Sequence, residues 1–144
     1  MIEEAGDNLP FTCEQMFSLV ADIERYPDFL RWWVAARILR RDANVLTVEQ
    51  SVGLGPVRVS FASQAVLQPP RRIDVTSVDP QFRHYQLAWI IEPLTGMGCR
   101  LKVTADCELR SGLLQSLIRG LLPSTIADVV SAFDRRAHAL YGRA

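Results

Sequence analysis

The side chains able to do acid, base or nucleophilic work are few and scattered along this 144-residue chain. Its two histidines, His84 and His138, stand far apart in sequence, and both fall on the polar side of their segments. Glu49 lies on the strand face opposite Leu46 and Val48 and reads as solvent-exposed, and Asp74 lies in another short strand. Asp106 and Glu108 share the polar register of a later strand with Lys102. They read as cross-strand ion-pair partners, which contribute little to stability. None of these acids stands beside a group it could activate. Gly-rich phosphate loops, GxSxG and HExxH are all missing from the sequence. Cys13, Cys99 and Cys107 form no CxxC pair, and Cys107 falls on the apolar side of its strand, where a thiol packs as a small apolar group. No catalytic residue, metal site or tightly held cofactor is assigned.

Aromatic and basic clusters are the other candidates for function. Tyr26, Phe29, Trp32 and Trp33 fall within eight positions. Adjacent tryptophans cannot both face a core from a strand, so one of the two is expected to be partly exposed. Beside Arg31 and Arg37 that would suit a lipid headgroup surface or a partner; the plainer reading is a cap over the open end of the core. Arginines recur at Arg37, Arg40 and Arg41, at Arg71 and Arg72, and at Arg135 and Arg136. If the first two groups meet on adjacent strand ends they form a basic edge for anionic lipid or RNA phosphate. A formal net charge of zero makes a solvated face the plainer reading and disfavours a strongly basic nucleic-acid binder; no DNA partner is expected.

The elements that must position these residues are organised around residues 111–141. Leu114, Leu117, Ile118, Leu121, Leu122, Ile126, Val129, Val130, Phe133, Ala137, Leu140 and Tyr141 recur there in steps of three and four, one apolar stripe along a helix. Pro123 interrupts it by removing an amide donor, so either the helix kinks or two helices meet. The unbroken phase favours one kinked helix. A helix precedes the sheet: Thr12 with Gln15 has capping-box spacing, and Met16, Phe17, Leu19, Val20 and Ile23 give it an apolar face. Tyr26-Pro27 is expected to stop it, with a second short helical turn over residues 28–33. The first ten residues make at best a weak strand, because Gly6, Asp7 and Asn8 are poor strand formers.

Between the helices the period is two. Strands are expected from Val34, over residues 45–52 with Leu46, Val48 and Val52 on one face, from Val57 with Val59, Phe61, Ala65 and Leu67, and over residues 72–78. Gly53-Leu54-Gly55-Pro56 and Pro69-Pro70 reverse or break the chain. Two clean strands follow, Tyr85, Leu87, Trp89 and Ile91 alternating with polar residues, then Leu101, Val103, Ala105, Cys107 and Leu109. At 49% hydrophobic and 22% charged, the composition is that of a globular protein, and the expectation is one domain over residues 1–144. No apolar run approaches the roughly 20 residues of a spanning helix. Met1 is followed by Glu3, Glu4 and Asp7 rather than a leader, so the expected compartment is the cytoplasm. The layout is α+β: a curved antiparallel sheet wrapped around a long C-terminal helix, leaving a cavity between them.

Along nearly its whole length the chain resembles the coenzyme Q-binding and ribosome association toxin family of the START-like (SRPBCC, polyketide cyclase/dehydrase) superfamily. Glu14-Gln15-Met16-Phe17, Leu19-Val20, Asp22, Tyr26-Pro27, Phe29-Leu30 and Trp32 carry the likeness at the start. Phe82, Trp89, Pro93-Leu94 and Cys99-Arg100 carry it in the middle, and Ala132-Phe133, Arg136-Ala137 and Tyr141-Gly142 at the end. Arg31 stands where the family has proline, Asp79-Pro80-Gln81-Phe82 replaces a Gly-Pro-Phe reversal, and Pro123 breaks the long helix. The resemblance implies a helix-grip fold like that of the birch pollen allergen, with a deep apolar cavity. It implies binding, transport or chaperoning of a polyprenyl quinone such as ubiquinone, or of another lipid, in support of respiratory quinone function. Some relatives are cyclase or dehydrase enzymes and others inhibit ribosomal subunit joining, so an enzyme and a ribosome partner stay open. Contact would be peripheral to the inner membrane. Phe29, Trp32, Phe61, Leu87, Trp89, Leu117, Leu121, Ile126, Val129, Val130 and Phe133 are the expected cavity lining.

Overall fold

The computed structural model describes residues 2–54 and 56–142. In chain order these are β1 (Ile2–Leu9), α1 (Cys13–Ala21), a 3₁₀ turn (Ile23–Asp28), β2 (Trp33–Asp42), β3 (Val45–Leu54), β4 (Val57–Gln68), β5 (Arg72–Thr76), β6 (Phe82–Pro93), β7 (Cys99–Leu109) and α2 (Gly112–Tyr141). The strands form one antiparallel sheet in the order β1-β7-β6-β5-β4-β3-β2. Helix α2 packs on β1 and β7 and also reaches β3 and β4, on the far side of the sheet. A flat sheet could not meet one helix from both sides, so the sheet curls around it. Register shifts in β2 and near the start of β6 mark bulges that add to the bend. The architecture is the expected α+β helix grip.

Local chemistry explains most boundaries. At α1, Thr12 Oγ1 accepts from the Gln15 amide at 3.0 Å and Gln15 Oε1 accepts from the Thr12 amide at 3.0 Å, the reciprocal capping box. The helix ends at Ala21, earlier than Tyr26-Pro27 suggested. The reason is Tyr26 itself: it is buried, and its hydroxyl donates to the Val20 carbonyl, which the end of the helix leaves without an amide partner. Pro27 sits inside the 3₁₀ turn, and the helical turn expected over residues 28–33 lies at Ile23–Asp28 instead. Strand β1 is regular despite Gly6, Asp7 and Asn8, since its ladder with β7 runs from Ile2–Asp106 to Leu9–Cys99. A Cβ on Gly6 would lie 2.9 Å from Arg100 Nη2 and 3.1 Å from the Leu101 carbonyl oxygen, so the glycine permits the close approach. Strand β5 stops at Thr76, where the Ser77 hydroxyl turns to donate to the Ala62 carbonyl, leaving Val78 exposed.

Helix α2 is one kinked helix. Its arms Gly112–Leu121 and Pro123–Tyr141 meet at 52°. The Leu121 carbonyl at the kink accepts from Ser124 Oγ at 3.2 Å and Thr125 Oγ1 at 2.8 Å. Ile118, Ile126, Val129, Val130, Phe133 and Ala137 are buried, but Leu113, Leu117 and Leu140 are exposed. Among the described residues no single helix is long and apolar enough to cross a membrane. The two arms together would pass on length and composition, although their inner face is the one packed on the sheet. The expected places of Gly55 in its reversal and of the Val57 and Leu122 side chains lie outside what the structure describes.

Candidate functional site

Alternation along the strands sends Val52, Val59, Phe61, Tyr85, Leu87, Ala105 and Cys107 to the concave face of the sheet. Ile118, Thr125, Ile126 and Val129 of α2 face them, and Trp32, Trp33 and Phe82 close the wall. These side chains line a partly open cavity of about 80 Å³. A deeper recess of about 20 Å³ shares Trp33, Tyr85 and Leu87 with it and is walled further by Ile23, Tyr26, Val48, Gln50, Ser63, Ala65, Ile73, Val75 and Trp89. In this recess Trp33 Nε1 donates to Gln50 Oε1 at 3.2 Å, and Gln50 Nε2 donates to Ser63 Oγ at 3.5 Å.

Five of the expected lining residues, Trp32, Phe61, Leu87, Ile126 and Val129, stand on the cavity wall, and Trp89 stands on the recess with Leu87. The others are elsewhere. Phe133 is fully buried at a junction of rings, 5.5 Å from Tyr26, 5.0 Å from Phe29 and 4.9 Å from Trp89 between centroids. Phe133 lines neither space; its ring contacts are edge-to-face, the arrangement aromatic side chains favour when they pack together. Phe29 is half-buried on that plug, with the Arg136 guanidinium 5.2 Å from its ring. Val130 is ordinary core and Leu121 is half-buried. Leu117 is 39% exposed and Leu113 is 73% exposed. The inward side of that first arm is set by Gln115 and Ile118, one step round the helix. Gln115 is buried because its Oε1 accepts the Leu109 amide at 2.8 Å at the end of β7.

Several wall residues have no counterpart among the expected ones. Trp33 lines both spaces, and so Trp32 and Trp33 face the same interior, against the expectation for neighbours on a strand. Trp32 precedes the strand and β2 shifts register just after Trp33, which frees the pair from strict alternation. Arg31 stacks over the Trp32 ring at 5.0 Å. Gln50 and Ser63 are 5% and 4% exposed. Their signal was present in the sequence: Gln50 falls in the inward register of Leu46, Val48 and Val52, and Ser63 in that of Val59, Phe61 and Ala65.

Among the described residues no aspartate, glutamate, histidine, lysine or arginine lines either space. The ionisable groups there are Tyr26, Tyr85 and Cys107. Burial pushes both tyrosine hydroxyls up, and it pushes the Cys107 thiol up to about 11. All three are therefore neutral at physiological pH.

The charged candidates pair away from this interior. His84 Nε2 lies 2.6 Å from Asp106 Oδ1, Arg83 Nε 3.4 Å from Glu108 Oε1 and Lys102 Nζ 3.9 Å from Glu4 Oε1. Arg37 pairs with Glu49 at 3.7 Å, Arg40 with Asp42 at 3.5 Å and Arg72 with Asp74 at 2.8 Å. His138 Nδ1 lies 3.0 Å from Asp134 Oδ1. The two arginine groups do not sit on adjacent strands: β3 and β4 separate Arg40 and Arg41 on β2 from Arg72 on β5. Among the described residues Arg41 has no ion-pair partner.

Residues 9–134 match the protein family described as polyketide cyclase / dehydrase and lipid transport. The ribosome association toxin RatA of Pseudomonas aeruginosa is 27% identical over 134 residues, 93% of each chain. The mitochondrial coenzyme Q-binding protein COQ10 homolog B of Xenopus laevis is 29% identical over 139 residues, covering 94% of this chain and 57% of that protein. Among solved structures, the Zhui aromatase/cyclase from Streptomyces sp. R1128 superposes with a TM-score of 0.88 at 16% identity over 100% of this chain and 96% of its own, a likeness of fold.

Proposed function

The chain belongs to the polyketide cyclase / dehydrase and lipid transport family, and on that footing we propose that it binds a hydrophobic small molecule between the sheet and α2 and carries or shields it. A polyprenyl quinone such as ubiquinone, or another lipid, is the cargo class, and the role is support of respiratory quinone function. The observation that carries this reading is the wall itself, which is apolar apart from one recess and free of formal charge. Apolar burial would supply the affinity, at about 25 cal/mol per Å² removed from water. The same wall favours a carrier over a cyclase, because among the described residues it offers no carboxylate or imidazole, and burial holds Tyr85 and Cys107 protonated and so unable to act as bases at physiological pH.

At about 80 Å³ the cavity is smaller than the roughly 300 Å³ at which small-molecule sites begin, so cargo must widen it. The first arm of α2 is the element able to yield. Pro123 breaks its hydrogen-bond ladder, and the arm turns Leu113 and Leu117 outward rather than into the core. Those leucines also suit a peripheral contact of a cytoplasmic protein with the inner membrane, where such cargo resides. The test is organic extraction of the purified protein followed by mass spectrometry, with titration of the stripped protein by a short-chain ubiquinone. A prenyl quinone or lipid in the extract and saturable rebinding are expected. An empty extract together with no rebinding would overturn the reading.

A second reading, ribosome contact, draws on the relatives named ribosome association toxin and on the exposed Arg37, Arg40 and Arg41 of edge strand β2. It predicts salt-sensitive co-sedimentation with ribosomal subunits that Arg40→Glu with Arg41→Glu abolishes. Unchanged co-sedimentation of that variant would exclude the edge.

A further inference from the structure

We infer that the recess behind the main cavity is a receptor for a single carbonyl oxygen, so that the cargo is a neutral molecule presenting a ketone, quinone or ester oxygen ahead of an apolar body. This rests on the cargo reading above and narrows it.

The first observation is burial against the pattern. Gln50 and Ser63, on β3 and β4, occupy positions that alternation reserves for apolar side chains, and both are more than nine-tenths buried. Burying an amide and a hydroxyl is unfavourable unless both find partners. Their mutual bond is long, at 3.5 Å.

The second observation is an imbalance of donors. The Trp33 indole can only donate, and it does so to Gln50 Oε1 at 3.2 Å, which fixes the amide with its nitrogen toward Ser63. That leaves the second Gln50 amide hydrogen and the Ser63 hydroxyl hydrogen without an acceptor among the described residues. Tyr85 and Trp89, each carrying one further polar hydrogen, line the same recess. Tyr26 offers nothing in exchange, because its hydroxyl is committed to the Val20 carbonyl. A surplus of donors selects an acceptor. With no charged residue among the described residues of either wall, an anionic acceptor would be buried without a counter-charge, so a neutral one is selected.

The third observation is size. A space of about 20 Å³ exceeds the roughly 10–15 Å³ that one water-sized group requires and is too small for a ring. It lies next to the main cavity, and Trp33, Tyr85 and Leu87 stand on the wall of both. On this assignment a leading oxygen enters between these side chains as cargo widens the cavity, while the apolar body stays in the larger space.

The test uses the full chain, ¹⁵N-labelled, titrated with acetophenone and separately with ethylbenzene. The two probes have nearly the same shape and differ in one carbonyl. Affinities come from amide shifts, and the Trp33 indole N–H reports on the recess. Both probes are expected to bind the unmodified protein, with acetophenone moving the Trp33 indole signal and ethylbenzene leaving it in place. Ser63→Ala and, independently, Gln50→Leu should lower the affinity for acetophenone relative to ethylbenzene about fivefold, the size of one net hydrogen bond. Ethylbenzene affinity should stay within about twofold of its original value, as expected of a probe with no polar contact to lose. If both probes bind and their ratio is the same in the unmodified protein and both variants, the recess holds water rather than cargo and this assignment falls alone. If neither probe binds the unmodified protein, the cargo reading falls and takes this one with it.

Discussion

Filling the cavity should raise stability and remove binding at once. Ala105 on β7 is buried, faces the cavity and pairs across the sheet with Leu87 on one side and Glu3 on the other. Ala105→Val adds two methyl groups there and places a β-branched residue in a strand, where it is favoured. Each added carbon taken out of water contributes about 0.8 kcal/mol, or about 1.6 kcal/mol for the pair. The cavity sets its own ceiling: at about 24 cal/mol per Å³, erasing about 80 Å³ recovers at most about 2 kcal/mol. The stripped variant should therefore be about 1–2 kcal/mol more stable than the parent by urea denaturation. For a chain of this size that corresponds to a thermal midpoint about 2–8 °C higher. The same protein should lose short-chain ubiquinone binding in fluorescence titration, because the added methyls occupy the space the ring would use. Core enlargements in filled interiors do the opposite and cost about 1–3 kcal/mol. A variant that is destabilised, or that is stabilised yet binds the quinone unchanged, would refute the claim that this space is both empty and the binding site.

Three further outcomes follow from local geometry. Thr12→Ala removes half of the capping box of α1 and should lower stability by about 1 kcal/mol in chemical denaturation. Tyr26→Phe leaves the Val20 carbonyl buried and unpaired and should cost about 1–3 kcal/mol in the same assay, with far-ultraviolet circular dichroism unchanged. Burial pushes the Cys99 and Cys107 thiols up to about 11, so mass-spectrometric alkylation of either should begin only well above the pH at which a free thiol reacts. Because the unfolded chain releases these protons first, stability is full below the ordinary thiol range and should decline as pH rises from there toward about 11.

The elements were legible because each is written locally. The Thr12–Gln15 pair marks the start of α1, the two-residue period marks β3, β4, β6 and β7, and the stripe from Ile118 to Ala137 marks the buried side of α2. Strand β1 was legible only as a weak strand, because Gly6, Asp7 and Asn8 deny it propensity and its ladder to β7 supplies what they lack. The early end of α1 was hidden for a similar reason: a tyrosine hydroxyl several residues on satisfies the carbonyl that the helix gives up.

What the sequence by itself determined is the order of elements and most of the residues that turn inward, and hence the grip of a bent sheet on one helix. The tertiary structure alone decided how much room that grip leaves. Periodicity assigns a side chain to a face but says nothing about the volume opposite it. Empty space is a small difference between two large volumes, the shell that the strands and helix enclose and the side chains that fill it. Where the rings of Tyr26, Phe29, Trp89 and Phe133 interlock, only the recess of about 20 Å³ stays open beside them. Between Phe61, Ala105 and Val129, small side chains such as Ala105, Cys107 and Thr125 stand among large rings beside a kinked helix, and about 80 Å³ stays unfilled.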